Sequence, residues 1–173
     1  MSLVNYFSLL RPMNGLIAII GVFTGFSIAN GSFGFTIELG FAFLAAFLIN
    51  GAGNLINDFY DFELDKKLGK NKALTDGKVE RDKLKGLAFA LFLIGIMISY
   101  FINTQAFIIA ILVSVLLFIY SAFMQEHKYI GNWVVALATS LTIIFGATII
   151  GNYEIVFWLA GSAMFANVAR EVI

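Results

Sequence analysis

Asn57, Asp61 and Asp65 stand at i, i+4 and i+8, with Asp58 one turn from both Asp61 and Asn54. If one helix runs through them, they form a single acidic stripe. At 1.5 Å rise per residue the stripe covers about 12 Å, enough to offer hard oxygen ligands to one or two divalent cations with a diphosphate between them. Mutual repulsion makes such a stripe costly without a cation.

The surroundings decide among aspartate motifs. An EF-hand loop needs oxygens at alternate positions, a central glycine and a hydrophilic setting, whereas this spacing is helical and its flanks are Phe59, Tyr60 and Phe62. The P-loop pattern, H-E-x-x-H and G-x-S-x-G are absent, and His127 has no His or Cys partner at helical spacing. Eight Lys or Arg residues follow between Lys66 and Lys85. They suit either a topology-setting loop touching anionic headgroups or, through Lys72, Lys78 and Arg81, direct contacts to a diphosphate. Asn50, Asn54 and Asn57 share a narrow face with Gly51 and Gly53, a pattern that also serves helix packing.

The elements that must position these residues are apolar. Of 173 residues 60% are hydrophobic and 13% charged, with one proline and a mean hydropathy of +0.90. That composition predicts an all-α, polytopic helical membrane bundle. Zero net charge argues against nucleic acid as a partner, and the lack of cysteine excludes disulfides and thiolate metal sites. Residues 12–37, 39–57, 86–125, 129–153 and 155–169 carry no charge. A crossing takes about 20 residues, so the run from Gly86 is two crossings broken at 102–105, and the total is six transmembrane helices. With the N-terminus inside, all 11 Lys and Arg fall on the cytoplasmic side, placing the acidic site there in a multi-pass cell-membrane protein. The first run is long, lacks an A-x-A-like exit and precedes further crossings, so it reads as a crossing rather than a cleaved signal. Residues 1–173 read as a single membrane domain.

The segment Asn57-Asp58-Phe59-Tyr60-Asp61-Phe62-Glu63-Leu64-Asp65 resembles the first aspartate-rich motif, N-D-x-x-D-x-x-x-D, of the UbiA superfamily of intramembrane prenyltransferases. Leu10-Arg11-Pro12-Met13-Asn14, Leu74-Thr75-Asp76-Gly77, Tyr120-Ser121 through Gly131-Asn132, and Leu141 to Gly146 agree in order with the same family. The resemblance implies a bundle of about nine crossings in the whole protein, of which this chain is the N-terminal two-thirds, ending before a second aspartate-rich motif. Alone, such a piece is not expected to complete the reaction.

Membership would imply Mg²⁺ as cofactor and a prenyl diphosphate as donor, ionised at its allylic C–O bond and captured by an acceptor. It would make Asn57, Asp61 and Asp65 metal ligands, with Asp58 beside them. Lys72, Arg81 and Lys128 would steady the diphosphate, and Asn14, Asn54 and Tyr120 would contact the substrate or orient its partners. Two departures stand out: Lys72-Ala73 where the family has an R-P-like pair, and Met124-Gln125 where it has a basic residue, with Lys128 nearly a turn away. Lysine lacks the bidentate fork of arginine. The segment Asn167 to Ile173 most resembles the archaeal ether-lipid branch, which transfers geranylgeranyl to geranylgeranylglyceryl phosphate. An aromatic acceptor of quinone or pigment synthesis is the alternative. A transporter using the Asn/Asp face is the alternative of another class, and it would place its carboxylates near the bilayer midplane.

Overall fold

The computed structural model describes residues 3–70, 73–124 and 128–172, with side chains described for 4–70, 73–123 and 131–169. Seven α-helices follow in order: α1 (Leu3–Leu9), α2 (Pro12–Asn30), α3 (Ile37–Lys67), α4 (Arg81–Tyr100), α5 (Thr104–Ile119), α6 (Lys128–Ala147) and α7 (Glu154–Val172). A π-helical turn, Tyr120–Met124, extends α5. No strand occurs among the described residues.

Helix ends follow local chemistry. Pro12 opens α2, where its missing N–H costs nothing. Thr36 caps α3 by accepting from the Leu39 amide at 3.2 Å, and Asn103 caps α5 by accepting from the Ala106 amide at 2.8 Å. Asn103 lies in the expected break between the third and fourth crossings. Arg11, the residue before Pro12, takes φ 52° and ψ 68°, a left-handed conformation uncommon outside glycine.

Four helical stretches are long and apolar enough to cross a bilayer: Pro12–Asn30, Ile37–Lys67, Arg81–Tyr100 and Thr104–Phe123. Shorter apolar stretches, Gly131–Ala147 and Glu154–Ala169, lie inside α6 and α7, so the expected six crossings are reached only by counting these two as well. The 31-residue α3 is longer than a span needs, and its last turns carry the acidic stripe beyond the apolar run.

Small residues let the helices approach, the usual device where lipid removes the hydrophobic drive for helix pairing. α3 packs against α2, α4 and α5 through Ala42, Ala45, Ala52, Gly51 and Gly53, all buried. α2 and α6 approach backbone to backbone at two glycines. A Cβ on Gly25 would lie 1.8 Å from the Ile143 carbonyl oxygen, and one on Gly146 would lie 1.9 Å from that of Val22.

Candidate metal and diphosphate site

The chain through Asn57–Asp65 is helical throughout, so the stripe exists as one face of α3. Asn57 Nδ2 donates to Asp61 Oδ2 at 2.8 Å, one turn on. That bond orients the Asp61 carboxylate along the helix. Asp65 is 1% exposed, and its Oδ1 forms an ion pair with Lys70 Nζ at 2.8 Å. Gly69, at φ 63°, turns the chain back so that Lys70 reaches the helix it has just left.

Asp58 is 2% exposed and points to another neighbour: Arg11 Nη2 donates to its Oδ1 at 2.8 Å. Arg11 therefore joins the start of α2 to the acidic end of α3. Asn54 strengthens the same junction, its Nδ2 donating to the Leu10 carbonyl at 3.0 Å and to Asn50 Oδ1 at 3.2 Å. Both amides thus act at least partly as packing groups, the role open to Asn50 from its sequence.

Tyr120 sits, half-buried, at the start of the π-helical turn. Gly131 makes room for its ring, because a Cβ there would meet Tyr120 Cε2 at 2.9 Å. The turn that carries Tyr120 packs against α3. The other expected site residues are placed by their own contacts. Asn14 is exposed on the first turn of α2. Lys78 pairs with Asp76 at 2.9 Å. Arg81 donates from Nε to the Phe59 carbonyl at 3.2 Å and lies over the rings of Phe59 and Phe62. At about 100° per residue Phe59 lies roughly 160° and Phe62 roughly 100° around α3 from Asp61, the middle of the line, so Arg81 packs beside and behind the stripe rather than on it. Lys72 and the side chain of Lys128 fall outside the described residues.

Among the described residues no three carboxylate, His or Cys groups converge into a closed metal site. Asp58 turns to α2, Asp65 to the loop, and Asp61 to Asn57, so each carboxylate has its own partner. Two residues that join the stripe carry no expected role: Arg11 and Lys70. Arg11 is the only cation before the first crossing, which was its signal; Lys70 is one of eight cations in its loop and had none.

Comparison with known proteins shows the family. The family model described as "UbiA prenyltransferase family" matches residues 18–170. Digeranylgeranylglyceryl phosphate synthase of Methanosphaera stadtmanae is 34% identical over 168 residues, covering 97% of this chain and 61% of the relative. That of Thermococcus kodakarensis is 37% identical over 169 residues, covering 97% and 61%. A solved structure of a digeranylgeranylglyceryl phosphate synthase superposes with a TM-score of 0.91 at 29% identity, over 98% of this chain and 61% of that one. A UbiA homologue from Archaeoglobus fulgidus, solved with DMAPP and Mg²⁺, shares the fold with a TM-score of 0.77 at 19% identity, over 95% and 60%. The chain spans about three-fifths of the length of these relatives. It is a multi-pass helical membrane protein, and it belongs to the UbiA prenyltransferase family.

Proposed function

We propose that the whole protein is a Mg²⁺-dependent prenyltransferase that moves a geranylgeranyl group from its diphosphate to geranylgeranylglyceryl phosphate, and that this chain supplies the first metal and diphosphate half-site. The observation that carries the reading is the one-sided polar end of α3, set in a chain 34–37% identical to digeranylgeranylglyceryl phosphate synthases over 97% of its length. The stripe lies at the end of a helix rather than at its apolar centre, which favours a surface phosphate site over a transport path through the bilayer. The run of basic residues beside it supports a cytoplasmic location for that end.

The donor set fits Mg²⁺. Carboxylate and amide oxygens are the hard ligands this ion takes, and a 1%-exposed carboxylate that already holds an ammonium at 2.8 Å is a place where a cation is stable. Asn57, Asp61 and Asp65 are the residues that would hold it. When bound, Mg²⁺ would offset the charge that grows on the leaving diphosphate.

The remaining roles belong to the protein's own side chains. Asn57 keeps Asp61 aimed along the stripe, and Asp58 with Arg11 fixes where α2 meets it. Lys72 and Lys128 steady the departing diphosphate, with Asn14 and Asn54 at the edge of the same surface. Tyr120 presents a hydroxyl at the end of α5. In the reaction the allylic C–O bond breaks with its electron pair leaving on the diphosphate; the acceptor hydroxyl oxygen bonds the allylic carbon and its proton is released. Apolar walls built from Phe-rich helices exclude water, which would otherwise compete as acceptor.

The test uses the complete gene product in membranes, supplied with geranylgeranyl diphosphate and Mg²⁺, with geranylgeranylglyceryl phosphate and an aromatic acid offered together. Mass spectrometry should find the diether phosphate, lost on chelation. A prenylated aromatic would move the protein to quinone or pigment synthesis, and no product from either acceptor would overturn the reading.

A further inference from the structure

The back of α3 carries a second cluster of cations, outside the stripe. Arg81 Cζ lies 4.6 Å from the Phe59 ring centre and 5.2 Å from that of Phe62. Lys85 Nζ is 5.3 Å from the Phe59 centre, and Lys66 Nζ is 5.9 Å from that of Phe62. Both lysines are exposed. The carboxylates nearby do not balance the three cations. Glu63 reaches Arg81 only at 3.8 Å, and Glu80 is bound to Lys83 at 3.0 Å. Asp82 is exposed on the first turn of α4, about 100° around the helix from Arg81. Asp82 is nevertheless one turn before Lys85, so against Glu63 and Asp82 the cations Lys66, Arg81 and Lys85 leave an excess of one positive charge beside a pair of aromatic rings.

The same face continues as an apolar track. Lys85, Phe89 and Leu93 follow one another at i, i+4 and i+8 on α4, and the last two are exposed large hydrophobic residues. The track covers about 12 Å, most of one leaflet's hydrocarbon depth. Cations at the end of a crossing, aromatic rings beneath them and an exposed apolar ridge leading into the bilayer match a phosphate headgroup, its glycerol region and a chain.

We propose that the α3–α4 face, from Lys66, Arg81 and Lys85 down to Phe89 and Leu93, binds an anionic lipid of the surrounding bilayer through its headgroup phosphate. This surface is centred roughly 130° around α3 from the line of Asn57, Asp61 and Asp65, so the lipid there is a resident partner and not the reacting molecule. By holding Arg81 on the Phe59 carbonyl, it would also brace the back of the helix that carries the stripe.

The test is retention of phosphatidylglycerol against phosphatidylcholine by the complete protein in detergent, read by native mass spectrometry and by thermal unfolding. Phosphatidylglycerol should be retained and should raise the unfolding temperature, while phosphatidylcholine should do neither. Lys66→Gln with Lys85→Gln leaves Arg81 in place on Phe59, so the fold is kept, and should weaken phosphatidylglycerol about fivefold per lysine. Lys78→Gln, whose partner is Asp76, should leave retention unchanged. Equal retention of the two lipids, or undiminished phosphatidylglycerol binding in the double variant, would overturn the proposal. So would displacement of phosphatidylglycerol by stoichiometric geranylgeranylglyceryl phosphate, which would make this an acceptor site.

Discussion

Replacing Gly25 or Gly146 with alanine should force α2 and α6 apart, and the geometry sets how far. The added Cβ of Gly25→Ala would sit 1.8 Å from the Ile143 oxygen, and that of Gly146→Ala 1.9 Å from the Val22 oxygen. Ordinary carbon–oxygen contact begins near 3.3 Å, so either change requires a separation of about 1.5 Å. Neither obstacle is a flexible side chain; both are helix backbone, which cannot rotate away. A gap of 0.5–1 Å already forfeits a quarter to a half of a dispersion contact. If about 40 atom pairs at ~0.15 kcal/mol each lose half their attraction, the cost is about 3 kcal/mol.

The two contacts belong to one crossing, which gives the prediction its sharper form. Once either alanine has parted the helices by about 1.5 Å, the other fits without further strain. The double variant should therefore cost about 3 kcal/mol rather than about 6, a coupling far outside the behaviour of independent sites. Unfolding of the complete protein in mixed micelles with rising SDS, followed through Trp133 on α6, measures all three variants. Gly86→Ala is the control: nothing lies within 4 Å of its Cβ, and alanine there should stabilise α4 by up to about 1 kcal/mol. Single variants within about 0.5 kcal/mol of that control, or an additive double variant, would refute the reasoning.

Other outcomes follow from the site. Asp61→Asn should cut prenyl transfer by about 10²–10³-fold while the melting temperature stays within error, since its partner is the neighbouring Asn57 amide and the loss is one of charge. Arg11→Ala should lower stability by about 1–2 kcal/mol, and Arg11→Lys by less, because lysine keeps the charge that faces the buried Asp58; thermal unfolding compares them. Gly131→Ala should displace the Tyr120 ring and lower kcat about tenfold with little change in unfolding temperature, which steady-state kinetics on membranes would show.

What was legible in the sequence was whatever a single helix determines. The stripe of Asn57, Asp61 and Asp65 depends only on 3.6-residue periodicity, and the apolar run before it fixes that the helix is a crossing. The break at Asn103 was visible because a capping residue there ends one apolar stretch and starts the next. What was not legible needed a second element. Arg81 has the charge and the loop position of a diphosphate ligand, and its guanidinium rests on the rings of Phe59 and Phe62, off the Asn57–Asp65 line, which no spacing within α3 could show. Lys70 is indistinguishable in the sequence from its neighbours until Gly69 folds it onto Asp65. Arg11 was counted for its charge, but its partner is 47 residues away and its backbone is left-handed. The left-handed turn carries a cost of about 1–2 kcal/mol, and the bond to a buried carboxylate offsets it. Periodicity thus places the carboxylates on one face, while the cation that meets each of them is chosen by where loops and helix starts return to α3. That division explains why the acidic face could be written from spacing alone and the cations that pair with it could not.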